Sequence, residues 1–574
     1  MYIQKNKTTG KNGKVYSAIL LCKKYRQDGK IKTKVLANLS NLPLDFIQTL
    51  DNILKQGTKN LIDAKNIIVR KAIDYGLVFL VIHLMDKLRI SSTLDKIVPQ
   101  HAAVLKTIIV GKIISRGSKL EIYNWIMRNP IIASKIGVNT EKLKVDDLYY
   151  ALSMADMFQE KIEQKWFTCH NNKQDEDIFL YDITSTYFEG TENELAEFGY
   201  NRDKKKGKKQ INIGLITKSN GFPLKIEAFK GSVNDHKTVL EQINHLKNKF
   251  QARNMIFVGD RGMKIRFNLA QLKASENEGI DYITGLTKAE IEELIEKKVI
   301  DLNLFTKELA EIESEGVRYV LSENPQLKQE EQAYLNHFKL KIEKEILKIN
   351  TSWQNRHQKN IENIEKLKTE KKNKKLVTQF TEKNLDQYKK RIAVLLSDKH
   401  ANKYYEVKEI SNTKFEVEFK EDVYKNSLQM AGKYVVMSTI KSQRMDKEEV
   451  RETYKKLQSV EHAFRDFKSD NIQLRPVYHR NEAQTRGHVF MSMFSYSIIK
   501  EMEDKIFPFL KIWNKEKGMK LSFEDVKKEL TDIKRCTLNF GKEKDEIKIT
   551  ELNPFQTEIL KLFQMKISDL ENEM

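Results

Sequence analysis

The chain has 574 residues, of which 40% are hydrophobic, enough for several domains and a sizeable core. Lys and Arg outnumber Asp and Glu by 101 to 80, a formal net charge of +21, which points to a polyanionic partner. A membrane span, a signal peptide and a disulfide framework are all excluded: His83 interrupts the apolar stretch from Tyr75 to Met85, the start from Met1 to Lys14 is polar and basic, and Cys22, Cys169 and Cys536 are odd in number and far apart.

Residues 1–44 read as a basic β-hairpin. Val15 to Leu21 and Ile31 to Leu39 are strand-like and meet through Gln27-Asp28-Gly29, a strong turn signal. Lys23, Lys24, Arg26, Lys30, Lys32 and Lys34 suit a ribbon laid on DNA, and equally a solvated edge. Residues 45–175 read as helical, suited to binding DNA or mediating pairing and equally to packing support, with apolar residues at helical spacing in Phe46 to Leu54, Ile67 to Leu88, Leu105 to Ile114 and Ile122 to Ile132. Residues 176–286 change character. Strands are expected at Ile178 to Thr184, Gln210 to Thr217, Pro223 to Lys230, Met255 to Gly259 and Tyr282 to Leu286, with helices from about Asp235 to Asn248 and Lys264 to Ser275. Three strands in succession suit an antiparallel meander, and the later alternation suits parallel crossovers. That is the strand order of an RNase H-like α/β core. Residues 287–430, with a long polar helical stretch from about Gln329 to Lys390, read as an insertion domain. Residues 431–505 resume the core with a strand at Lys433 to Ser438, one helix from Asp446 to Lys468, and a buried helix from Glu482 to Glu503. Residues 506–574 read as a small α/β tail.

Three acids stand out. Asp182 lies inside an apolar strand, where a carboxylate is costly unless it is paired or metal-bound; hydrogen bonds to Thr184, Ser185 and Thr186 are the structural alternative. Asp260 ends an apolar strand at Gly259-Asp260-Arg261-Gly262, where ligands of α/β sheets sit, though Asp is also a common helix N-cap. Glu461 shares a helix face with Tyr454, Leu457 and Lys468; a surface pair with Arg465 is the alternative. Together the three meet a specific chemical need. Phosphodiester cleavage at neutral pH is served by two hard cations, and Mg²⁺ or Mn²⁺ is held through carboxylates.

The chain resembles bacterial insertion-sequence transposases of the DDE superfamily, in the broad group named for insertion sequence four. The group's signature around its last acid is Tyr-x2-Arg-x3-Glu-x6-Lys. Tyr454, Leu457, Glu461 and Lys468 reproduce its spacing, with Leu457 in the arginine position and Arg465 near the same arc. Gly231-Ser232-Val233-Asn234-Asp235 and Arg475-Pro476-Val477-Tyr478-His479 also look like the group. The resemblance implies a catalytic triad of Asp182, Asp260 and Glu461 holding two Mg²⁺ or Mn²⁺ ions. It implies contacts from Tyr454 and Lys468 to transposon-end DNA, and cleavage at the element's end followed by attack of the freed 3′ hydroxyl on target DNA. It also implies a homodimer on terminal inverted repeats and work in the cytoplasm, at the bacterial nucleoid. The loop with Lys204, Lys205, Lys206, Lys208 and Lys209, together with Arg475 and His479, suits phosphate contact; the loop can equally be a solvated charge run. A metal-dependent nuclease without strand transfer and a non-catalytic DNA-binding derivative are the competing functions.

Overall fold

The computed structural model describes residues 1–9, 13–57, 67–171, 177–190, 192–200, 202, 205, 207–250, 252, 255–263, 279–306, 308–369, 386–397, 399–411, 414–469, 471–475, 477–540 and 545–572. These form two compact units, residues 84–501 and residues 1–83 with 502–574.

The larger unit is built on a mixed eight-stranded sheet. Its strands are β1 (Asp177–Tyr187), β2 (Gln210–Lys218), β3 (Pro223–Lys230), β4 (Met255–Gly259), β5 (Ile280–Gly285), β6 (Ala310–Ser314), β7 (Val317–Glu323) and β8 (Lys433–Ser438). Their order is β6-β7-β8-β5-β4-β1-β2-β3. β1, β2 and β3 form the antiparallel meander, while β1, β4 and β5 run parallel. The parallel strands are central, and every residue of β4 is buried, as expected where both sheet faces are covered. Helix α1 (Asp235–Asn248) links β3 to β4, and Tyr181 Oη donates to Thr238 Oγ1 at 2.9 Å, tying it to β1. The expected helix from Lys264 to Ser275 lies outside the described residues.

Residues 287–430 do not form a wholly separate insertion. Two strands from this block, β6 and β7, enter the same sheet, with β7 paired to β8. Val317 to Ser322 is buried throughout, and Val317, Tyr319 and Leu321 share a core with Ile291, Leu294, Ile300 and Phe305 of the same block and with Val435 and Met437 of β8. The rest of the block has its own core. Ile342 and Ile346 of the long helix Pro325–Thr369 pack with Tyr388, Ile392, Leu396 and Tyr405.

Three helical expectations are corrected. Ile122 to Ile132 is two helices, Lys119–Arg128 and Pro130–Ile136, because Pro130 disfavours helical backbone at Asn129 and starts a new helix itself. Asp446 to Lys468 is also two helices, α2 (Lys447–Lys455) and α3 (Gln458–Lys468). Leu457, Ser459 and Val460 bond back to the third carbonyl behind them, and Ser459 Oγ donates to Lys456 O, which overwinds the turn between the two. The buried helix starts at Glu482 as expected but continues to Lys517. Its stretch from Val489 to Ile499 is buried on all sides, as its composition requires.

On helix Gln159–His170, Glu163 is buried against β3 and accepts hydrogen bonds from Gln159 Nε2 (2.9 Å) and Ile226 N–H (3.4 Å). Burial pushes its carboxyl from 4.5 up to about 7. Between those values the folded protein keeps a proton that the unfolded chain has released, so this group's contribution to stability falls as pH rises across that window. Glu163→Gln removes the effect. Its stability relative to wild type is expected to climb by about 1 kcal/mol per pH unit through the window, then level off. Urea denaturation on both sides of the window checks it, and a difference that does not change with pH refutes it.

In the smaller unit the N-terminal region is a three-stranded antiparallel sheet, Tyr2–Thr9, Val15–Gln27 and Lys30–Asn38, one strand more than the expected hairpin. The first strand is mostly polar and only half-buried, so it lacks the apolar alternation that marks a strand in sequence. The hairpin turn is as expected: Asp28 and Gly29 have φ of 47° and 74°, the left-handed pair that a two-residue loop needs. Ile68–Asp74, expected as helix, is a strand paired with Lys534–Asn539. Its β-branched residues suit an edge of that small sheet.

Candidate active site

Two acids are set by adjacent parallel strands. The β1–β4 register pairs Tyr181 with Gly259, so Asp182 and Asp260 are each the next residue along their chains. Asp182 Oδ1 accepts the N–H of Ile183 at 2.7 Å. Asp260 follows the last residue of β4, at the carboxyl end, and opens the short turn Arg261–Met263. The third acid, Glu461, lies in the first turn of α3, which packs on β1 and β2.

Asp182, Asp260 and Glu461 line one cleft of about 530 Å³. Arg202, Arg465, Lys468 and Arg475 share its wall. Burial, reinforced by the neighbouring Asp260 and Glu461, pushes the Asp182 carboxyl from 3.8 up to about 7, against the pull of the Ile183 N–H and Arg202. Lys468 Nζ donates to Thr184 Oγ1 (2.8 Å) and Ser185 O (2.6 Å), fixing the end of α3 to β1. Arg475 Nε donates to Lys468 O at 3.3 Å.

Tyr454 reaches Asp260, at the edge of the cleft, from α2, which packs on β4, β5, β7 and β8. Its hydroxyl donates to Asp260 Oδ1 at 3.4 Å, and burial together with Asp260 keeps the phenol protonated. Its ring lies directly over Gly285, where a Cβ would stand 2.2 Å from the hydroxyl. The broken helix therefore still delivers Tyr454, Glu461 and Lys468 to one place, by tertiary packing and not by a single helical face. Leu457 is buried in the turn between α2 and α3, and Arg465 faces the cleft.

The other candidate phosphate contacts are dispersed. Lys205 stands 5.7 Å over the Tyr187 ring, and Arg475 stands 5.8 Å over the same ring. Lys208 pairs with Glu189, and the Lys209 carbonyl accepts the N–H of Phe188. Lys204 and Lys206 lie outside the described residues. His479 does not line the cleft; it faces a second cavity, where burial and the ammonium groups of Lys119 and Lys112 hold its ring down at about 3. Arg202 was not singled out by its sequence context. Its guanidinium donates to Ile183 O and its N–H to Ser185 Oγ at 3.0 Å, and its only signal was its place at the head of the basic loop.

Residues 173–498, more than half of the chain, match the transposase DDE domain family, and residues 3–64 match the N-terminal domain of IS1634 family transposases. The chain belongs to the transposase DDE domain family. It is a DNA transposase, an enzyme that cleaves and transfers DNA using divalent metal ions. Among solved structures, a cryo-EM synaptic complex of piggyBac transposase with hairpin DNA shares 9% identity, over 79% of this chain and 69% of that one, with a TM-score of 0.30. Among curated proteins none matches. No helix among the described residues is long and apolar enough to cross a membrane.

Proposed function

We propose that Asp182, Asp260 and Glu461 are the catalytic acids and together hold two Mg²⁺ or Mn²⁺ ions. The observation that carries this reading is their convergence in one cleft from β1, β4 and α3. The donor set fits hard cations, being carboxylate oxygen throughout. The electrostatics fit as well: a carboxyl raised to about 7 beside two others marks a cluster of like charge that a divalent cation would relieve. When bound, such ions polarise the scissile phosphate and stabilise the leaving oxygen.

The chain's own groups do the positioning. Tyr454 orients Asp260 through its hydroxyl, and the Ile183 N–H orients Asp182. Lys468, Arg475, Arg465 and Arg202 give the cleft a cationic wall that draws in and aligns a DNA backbone. The strand order β3-β2-β1-β4-β5, with β2 antiparallel to its neighbours, supports an RNase H-like core. The exposed basic ribbon of residues 23–34 supplies a further DNA surface, and the enzyme acts as a homodimer holding two terminal inverted repeats.

Cleavage of linear DNA carrying the element's ends, with Mg²⁺, Mn²⁺ or EDTA, tests this. Wild type should nick at the 3′ ends in a metal-dependent way and yield joined products, and Glu461→Gln should bind DNA and leave it uncut. Nicking without joining would make it a nuclease. Tight binding with no cleavage by wild type would sink the catalytic assignment.

A further inference from the structure

A second cavity, of about 440 Å³, adjoins the catalytic cleft through a shared wall residue, Arg475. Lys119, Tyr149, Tyr478, Arg480 and Gln484 also line it. Lys119 is the anomalous group. It is the first residue of helix Lys119–Arg128 and only 4% exposed. The first turn of a helix favours anions, so a buried cation there is unfavourable on its own. An ammonium carries three N–H donors. Among the described residues, the hydrogen-bond partner of Lys119 Nζ is His488 Nδ1, at 2.9 Å. That leaves donors unspent in a place where water cannot freely reach them.

Among the described residues, counter-charge near the cavity is sparse: Arg480 stands 4.0 Å from the exposed Glu192, and one carboxylate lines the wall. Lys112 is 2% exposed, and among the described residues its Nζ reaches the carbonyl of Ile472 at 3.5 Å. The His488 Nε2 lies 3.0 Å from Leu474 O, and the His479 ring is 5.0 Å from the His488 ring. Burial holds Lys112, Lys119, His479 and His488 below their ordinary values, and the two lysines reinforce this in both histidines. Glu121 is the one carboxylate in the lining, and its Oε2 accepts the Ser118 N–H at 2.5 Å in the helix cap. The wall therefore gathers basic donors around a space sized for a small anionic group.

We propose that this cavity binds a phosphodiester group of the DNA strand that continues from the catalytic cleft, with Lys119, Arg480 and Gln484 as donors. The continuation of the strand rests on the catalytic reading above; the anion chemistry does not. Bridging by Arg475 is what makes the two cavities consecutive stations on one backbone.

The test is fluorescence anisotropy of labelled linear end DNA, in EDTA, across about 50–200 mM salt. Arg480 is exposed, so Arg480→Ala leaves the fold intact, and Lys119→Met probes the buried donor. Each is expected to weaken binding about tenfold and to make the slope of log affinity against log salt shallower by about 1. Gln484→Ala should weaken binding with the slope kept, since no charge is lost. Unchanged slope and affinity in both charge variants overturns the proposal. So does stabilisation of wild type by inorganic phosphate with unaltered DNA binding in the variants, which would make the cavity a free-anion site. Absence of metal-dependent cleavage by wild type, with the slopes altered as expected, would refute the catalytic reading and leave this site standing.

Discussion

Asp182→Asn is expected to abolish metal-dependent strand cleavage, by about 10³-fold or more, while raising the melting temperature of the metal-free protein. The two effects have one cause. Burial and the neighbouring acids lift the Asp182 carboxyl from 3.8 to about 7, so between those values the folded state retains a proton that the unfolded chain has lost. Stability from this group therefore falls as pH rises through that window, and above it the folded protein carries a charge its surroundings oppose. Asn keeps the shape and can still accept the Ile183 N–H through its carbonyl oxygen, but carries no charge. Added Mg²⁺ should raise the melting temperature of wild type by preferential binding to the folded state, and raise that of the variant much less. Thermal melts at pH 8, with and without Mg²⁺, beside a cleavage assay, decide the matter. A variant that cuts DNA at the wild-type rate, or gains as much stability from Mg²⁺ as wild type, removes Asp182 from the metal site.

Gly285→Ala should also be damaging, although the change is one methyl group and lies on no acid. The new Cβ would stand 2.2 Å from the Tyr454 hydroxyl and 2.8 Å from its Cζ. A phenol ring cannot bend away, so either β5 or α2 must move, at a cost of about 1–3 kcal/mol. Either movement breaks the 3.4 Å hydrogen bond to Asp260 and loosens one of the three acids. Cleavage is expected to fall about tenfold or more, since small displacements of positioned groups are costly. Tyr454→Phe separates the terms: it loses the hydrogen bond with little loss of packing. In the double variant Gly285→Ala, Tyr454→Ala the steric part disappears, so the two changes should couple by about 0.5–3 kcal/mol. Chemical denaturation of the four proteins measures this. Wild-type stability in Gly285→Ala would show that the ring does not lie where the structure puts it.

Much of the site was legible along the chain because its parts are local. Asp182 inside a β-former run and Asp260 after Phe257-Val258-Gly259 are each unusual within a few residues of sequence. Glu461 was legible through the spacing that joins it to Tyr454 and Lys468. The mechanism that brings them together was not as expected, since the helix is overwound at Lys456–Leu457 and the common face is broken. Arg202 and Gly285 were hidden for another reason. Their roles depend on partners far away in sequence, a strand carbonyl and a phenol ring, and nothing local marks them. His479 was singled out for its place beside arginines, but only the fold shows that it lines the second cavity and not the cleft of the acids, with burial and the nearby Lys119 and Lys112 holding its ring down.

By itself the sequence determined the periodicities, and through them the meander, the parallel strands and the buried helix that starts at Glu482, because alternation and turn chemistry act over a few residues. Tertiary structure alone decided which of the remaining segments joined the sheet. β6 and β7 look no different in composition from strands of a separate domain, and only pairing with β8 assigns them to the core. It also decided the charge states, since the same carboxyl or imidazole titrates differently once burial and neighbours are set. That is why the cluster of acids in the cleft, and the cluster of buried bases beside it, could be listed from the chain but given their chemistry only by the fold.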